Sequence, residues 1–205
     1  MNLELLKTEI EAHVPGCMLE IIPNPSPSAQ HSLLIGPEHA LAIATFLRDA
    51  PHLRLDYCSN VTGVDWLPPA PAKPKATAAV DPVEEVVENV EPPTGHFEVV
   101  YHLYSMELKH GPVILRMRTE DRDTRVHLPS LISVWRSTDF QEREIFDLFG
   151  VIFDGHPDLR RILMWDEFTD FPMRRDYVEP DDYEYEPTPH NKVLLKTTQH
   201  HGGAA

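Results

Sequence analysis

Phe97-Glu-Val-Val-Tyr-His-Leu-Tyr-Ser-Met-Glu-Leu-Lys-His-Gly-Pro-Val-Ile-Leu-Arg-Met-Arg118 is the stretch that decides the fold. Phe97, Val99, Tyr101 and Leu103 fall on one side of an extended chain. Val113, Leu115 and Met117 do so again, with Arg116 and Arg118 facing the other way. Successive side chains of a strand point to opposite faces, so two runs of period two predict two half-buried strands. His110-Gly111 is a short connection, and the spacing predicts a hairpin turning there.

Upstream the same period recurs. Leu53, Leu55, Tyr57, Ser59 and Val61 alternate with Arg54, Asp56, Cys58 and Asn60, which predicts another strand. Before it, Met18 to Ile22 and Ser32 to Ile35 read as short strands around a Pro/Asn/Ser turn. Helical spacing governs the rest of the amino-terminal part. Leu3, Leu6 and Ile10 define a first helix closed by Pro15-Gly16, and Pro37 opens a second that runs to about Asp49. The stripe of that second helix is read as Leu41, Ala44, Thr45 and Leu47/Arg48. The fold class is therefore α+β: two helices packed on a mixed or antiparallel sheet, followed by a short helix and an extended carboxyl-terminal tail.

Residues 68–93 interrupt this pattern. They are rich in Pro, Ala, Val and Glu, without Gly or an aromatic residue, and read as a loop inserted between neighbouring strands. Val83, Val86, Val87 and Val90 would share one side of a short helical turn, which leaves a partner-binding segment as the alternative.

Composition excludes several functions. Asp and Glu outnumber Lys and Arg by 33 to 18, a net charge of -15, which argues against binding nucleic acid or anionic lipid by charge. No run approaches the roughly 20 apolar residues of a spanning helix. The acidic, amphipathic start at Met1-Asn2-Leu3-Glu4 has no targeting character, so a cytosol-like compartment is expected. Cys17 and Cys58 stand far apart in strand-like stretches and read as small buried hydrophobes, too few for an iron–sulfur cluster. The 12 histidines include no HExxH, and scattered surface or capping roles are expected for them.

Beyond Pro129 the character changes. Ser130 to Trp135 is a short apolar element. Thr138-x-x-Gln141 reads as a capping box opening a helix through Phe149, which Gly150 stops. Ile145, Leu148, Phe149 and Ile152 form its apolar stripe. Glu142, Arg143, Glu144 and Asp147 lie off that stripe, and Arg143 and Asp147, four apart, are placed to pair. His156-Pro157 turns the chain, and Arg160-Arg161 offer planar forks suited to carboxylates. After Gly155 no period survives. Three divisions are read: a core domain over 1–135, a signature helix and turn over 136–163, and a tail over 164–205.

Residues 142–163, Glu-Arg-Glu-Ile-Phe-Asp-Leu-Phe-Gly-Val-Ile-Phe-Asp-Gly-His-Pro-Asp-Leu-Arg-Arg-Ile-Leu, resemble the signature of the C-type peripheral-arm subunits of respiratory complex I. The Glu-Arg-Glu, the acid at Asp147, His156 and the Arg-Arg-Ile-Leu carry the likeness. It continues through Met164-Trp165 and Phe171-Pro172-Met173-Arg174-Arg175-Asp176-Tyr177, where Thr169-Asp170-Phe171 and Met173 depart from the family pattern. The insertion apart, it covers nearly the whole chain.

The resemblance implies a non-redox subunit of a proton-translocating NADH:quinone oxidoreductase. It would sit peripherally on the cytoplasmic side of the inner membrane and reach that membrane only through the complex. It implies no cofactor in this chain, with FMN and iron–sulfur clusters on other subunits. The implied partners are the large hydrogenase-like quinone-site subunit and the iron–sulfur quinone-site subunit. The implied interface residues are Glu142, Arg143, Glu144, Asp147, His156, Arg160, Arg161, Arg174, Arg175 and Asp176. Two rivals stand beside this reading: a scaffold in a ferredoxin- or hydrogenase-linked relative, and a stand-alone acid–base hydrolase using the acidic helix. Against the hydrolase, Glu142 and Glu144 are two apart on a helix and point away from each other.

Overall fold

The computed structural model describes residues 2–68 and 95–178. Helix α1 (Leu3–His13) is followed by strands β1 (Leu19–Ile22) and β2 (Ser32–Ile35), a 3₁₀ turn (Pro37–His39) and helix α2 (Ala40–Asp49). Strands β3 (Tyr57–Trp66), β4 (His96–Ser105) and β5 (His110–Arg118) come next. Strand β6 (His127–Pro129), a 3₁₀ turn (Arg136–Thr138), helix α3 (Asp139–Phe149) and strand β7 (Ile152–Asp154) complete the order. Five strands form a mixed sheet in the order β1-β2-β5-β4-β3, with β2 and β5 parallel and the other pairs antiparallel. β6 and β7 make a separate parallel pair. The α+β architecture is the one the periodicity predicts.

All three helices cover one face of the large sheet. Leu6 and Ile10 of α1, Ile43 and Leu47 of α2, and Ile145 and Phe149 of α3 share one core with Leu33, Phe97, Val99, Tyr101, Leu103, Leu115 and Met117. The alternation in β4 and β5 is thus the inside–outside alternation of a sheet with one covered face. The described residues up to Arg175 belong to one compact unit, which includes α3. Residues 176–205 form a second unit, of which only 176–178 are described.

Four local expectations are corrected. The β4–β5 turn spans residues 106–109, and His110-Gly111 lies inside β5. Asp56 accepts the Met106 N–H (2.8 Å) and Ser105 the Leu108 N–H (3.0 Å), anchoring the turn earlier. Strand β3 does not keep one alternation from Leu53. Arg54 has φ 38°, and the register shifts between Cys58 and Asn60, so Cys58 and Val61 are buried while Tyr57 and Ser59 face out. In α2 the 3₁₀ turn delays the helix, whose buried stripe becomes Ala40, Ile43, Ala44 and Leu47. Leu41 is left 47% exposed. The capping box does not form: Thr138 is helical in φ and ψ, and its hydroxyl donates to Trp135 O. Gln141 instead donates to Ser137 O and accepts from Val61 N, tying α3 to β3.

The expected insertion lies, apart from Pro68, outside the described residues. Its flanking strands do pair, with Trp66 opposite His96. Closure entropy grows only slowly with loop length, so replacing residues 70–91 by a short Gly/Ser linker is expected to raise stability by no more than about 1 kcal/mol. Chemical denaturation of the shortened and full chains checks this, and a loss of several kcal/mol would assign the segment to the folded core.

Candidate functional site: the signature helix and the strap that covers it

Helix α3 buries three of its charges. Glu142 and Asp147 have no exposed surface and Arg143 is almost fully covered, although all three lie off the apolar stripe. Three groups of partners account for this, since a buried charge is tolerated only when paired and hydrogen-bonded.

Asp147 organises the chain downstream of β7. Its Oδ2 accepts the backbone N–H groups of Ile162 (3.0 Å), Leu163 (2.7 Å) and Met164 (2.9 Å), and its Oδ1 accepts from Arg161 Nη1 (2.7 Å). Burial pushes this carboxyl's pKa up, but the three amides and the guanidinium outweigh it and leave it below its ordinary value. Arg161 also donates to Asp147 O and Asp170 O and lies over the rings of Phe168 and Phe171. The pairing of Arg143 with Asp147 therefore does not form. Arg143 donates to the carbonyls of Arg160 and Arg161, both at 3.3 Å, and its guanidinium lies over Phe140.

Glu142 faces the other way, into the sheet. It accepts from Ser130 Oγ, from Leu131 N (2.9 Å) and from Tyr101 Oη (3.4 Å). Burial raises its pKa above the usual carboxylate value despite these donors. The same burial drives the Cys58 thiol up to about 12, so this cysteine is an inert packing residue. His156 closes the turn. Its Nδ1 accepts Asp158 N–H (3.1 Å), which leaves the proton on Nε2 to donate to Asp139 O (3.2 Å).

Further along, Arg174 donates to Phe149 O (2.7 Å) and packs over Phe97 and Phe171. Gly150 is needed here twice over. It has φ 80°, the left-handed C-cap of α3, and a Cβ there would stand 2.6 Å from Arg174 Nη2. Arg175 N donates to Asp65 Oδ2 (2.8 Å), and Asp65 is itself held by Arg122 through two bonds of 2.7 Å.

Of the ten residues proposed from the sequence, the structure thus places Glu142, Arg143, Asp147, His156, Arg161 and Arg174 in contacts within the chain. Glu144, Arg160 and Arg175 are exposed, and Asp176 opens the second unit. Asp65 and Arg122 went unread, and Ser130 and Tyr101 were read only as parts of an apolar element and a strand, without their bonds to Glu142. Asp65 and Arg122 are 57 positions apart, and no local pattern links such a pair. Residues 157–175 thereby form a strap of turns and bends pinned to α3 by polar bonds. The strap presents Leu163 (61% exposed), Trp165 (40%) and Met173 (55%) outward. Among the described residues no group of His, Cys, Asp and Glu is arranged to hold a metal ion, and no helix is long and apolar enough to cross a membrane.

Known proteins share this chain's pattern. The family model of the respiratory-chain NADH dehydrogenase 30 kDa subunit matches residues 33–183. The NADH-quinone oxidoreductase C 2 subunit of Rhizobium meliloti (strain 1021) is 34% identical over 148 residues, 72% of this chain and 65% of the relative. The NADH-quinone oxidoreductase C subunit of Coxiella burnetii (strain Dugway 5J108-111) is 37% identical over 148 residues, 69% of this chain and 64% of the relative. The chain thus spans just under two thirds of the length of these two relatives. A solved chain of the membrane-bound sulfane sulfur reductase, an archaeal respiratory membrane complex, aligns with TM-score 0.56 at 17% identity, over 94% of this chain and 91% of that one. At that identity the likeness is one of fold. A trypsin-resistant fragment of Nqo5 aligns over 78% of this chain and all of its own at 27% identity, with TM-score 0.45. With its model matched across most of the sequence, the chain belongs to the respiratory-chain NADH dehydrogenase 30 kDa subunit family.

Proposed function

We propose that the chain is a non-redox scaffold subunit of a proton-translocating NADH:quinone oxidoreductase, and that the strap is its docking element. The observation that carries this is the strap itself. Buried charges of α3 hold a segment without regular structure in one conformation, while Leu163 and Met173 stay more than half exposed and Trp165, packed on Phe168, keeps 40% of its surface open. Ordering a segment in advance lowers the entropic cost of binding, and exposed large apolar side chains are the usual anchors of an interface.

On this reading the partner is the large hydrogenase-like quinone-site subunit, with the iron–sulfur quinone-site subunit beside it. The chain carries no cofactor, FMN and iron–sulfur clusters being held by other subunits. The complex places it peripherally on the cytoplasmic side of the inner membrane, and NADH oxidation, quinone reduction and proton translocation belong to the assembly.

The test separates docking from folding. Arg160 has a side chain 70% exposed and pairs with the exposed Asp158. Arg160→Glu combined with Leu163→Asp is expected to change the stability of the isolated chain by no more than about 0.5 kcal/mol per site and to abolish assembly on a native gel. Arg161→Ala is expected to cost about 3–5 kcal/mol, because it leaves buried Asp147 without its cation. Assembly undisturbed by the Arg160/Leu163 pair would show that the strap is ordinary surface.

A further inference from the structure

We propose that a groove between the end of α1 and the outer side of α2 binds a basic amphipathic helix of a partner protein. The groove is open to solvent and has a volume of about 940 Å³, and its apolar lining includes Val14, Pro15, Leu41, Phe46 and Pro51. It exists because the 3₁₀ turn at Pro37–His39 rotates α2 so that Ala40, Ile43, Ala44 and Leu47 face the core. Leu41, Ala42, Thr45 and Phe46 are left on the outer side. One wall is fixed by the stacking of the Phe46 ring on His13, with centroids 4.3 Å apart. Small side chains at Ala42, Thr45 and Ala50 lie beside this wall, and the Thr45 hydroxyl makes no demand on a ligand because it donates to Leu41 O (2.8 Å).

Charge selects the occupant. None of the lining residues is Lys or Arg, and the lining carboxylates Glu38 and Asp49 stand at the two ends of α2's outer side. Glu9, which accepts from lining His52 (2.7 Å), adds a third acid. Asp49 already pairs with Arg48, so the net negative charge of the rim rests on Glu38 and Glu9. Glu38 and Asp49 are eleven residues apart, roughly 16 Å at 1.5 Å per residue. A helix laid along the groove would meet them with cations about three turns apart, and would place apolar side chains at i, i+4 and i+7 on the floor between them. An acidic or uncharged helix lacks that complement. This inference is independent of the docking role given to the strap, which lies on other elements.

The probe is a synthetic 18-residue amphipathic helix with Leu at i, i+4 and i+7 and Lys eleven residues apart, titrated calorimetrically into the full chain. Binding is expected to weaken at least about tenfold when the two Lys are changed to Glu, and again at least about tenfold for the Ala42→Arg chain, whose side chain fills the groove. Glu38→Lys with Asp49→Lys is expected to reverse the preference in favour of the acidic peptide. Ala42 is exposed on a helix, and an unchanged melting temperature of Ala42→Arg confirms that the fold is kept. Equal affinity for the wild-type and Ala42→Arg chains overturns the proposal, as does no binding at millimolar peptide. A wild-type dimer in sedimentation that Ala42→Arg dissociates also overturns it, assigning the groove to self-association.

Discussion

Asp147→Ala is expected to lower the unfolding free energy of the isolated chain by about 3–5 kcal/mol, the range for breaking a buried ion pair. The substitution removes the acceptor of three strap amides and the counter-charge of Arg161 together. Asp147→Asn is expected to lie between the two. Its carbonyl can still accept the amides, but its NH₂ group then meets the Arg161 donors. Hydrogen exchange locates the damage: the amides of Ile162, Leu163 and Met164 should lose protection before those of β4. The pH dependence has a definite sign. Asp147 has a folded pKa below its ordinary 3.8, so its contribution is complete above that value and is lost as pH falls through the lower folded one. A loss under about 1 kcal/mol in Asp147→Ala would show that the strap is held by its aromatic contacts and not by this carboxylate.

Glu142→Ala is expected to cost about 3 kcal/mol or more, from a cavity in the core and from three orphaned donors on Ser130, Leu131 and Tyr101. Glu142→Gln should behave quite differently. Its carbonyl accepts from Leu131 N and Tyr101 Oη, and its NH₂ donates to Ser130 Oγ, so the side chain keeps its three contacts and no cavity forms. The folded pKa of Glu142 is raised, chiefly by burial. The wild-type chain is therefore favoured while this carboxyl is protonated, and loses that margin as pH rises from its ordinary 4.5 through the folded value. Relative to wild type, Glu142→Gln should gain stability as pH rises above 4.5. Denaturation curves at several pH values test this, and a pH-independent difference would mean that Glu142 is not titrating in that window.

These two carboxylates also separate a direct docking role from an indirect one. Both belong to the motif that marks the family likeness, yet neither reaches the surface. A loss of assembly in Asp147→Ala would follow from a disordered strap, while in Arg160→Glu it would follow from the surface alone. Measuring stability and assembly together distinguishes the two.

Much of the fold was legible from side-chain order. Phe97, Val99, Tyr101 and Leu103 sit in the core because a strand's period is fixed by covalent geometry, and Gly150 ends α3 because a left-handed residue is needed there. The composition, charge and signature of residues 142–163 were likewise properties of the chain alone. Other features required the assembled structure. The β4–β5 turn moved to residues 106–109 because Asp56, 50 positions earlier than Met106, supplies an acceptor there. The charges of α3 read as a solvent- or partner-facing side because helical periodicity reports only which residues share a face. What covers that face is decided by the turn at residues 155–158. That turn brings Arg161 and three amides from 14 to 17 positions away onto Asp147. A charge with no local partner has the same sequence signature whether water or a distant segment satisfies it, and only the tertiary fold selects between them.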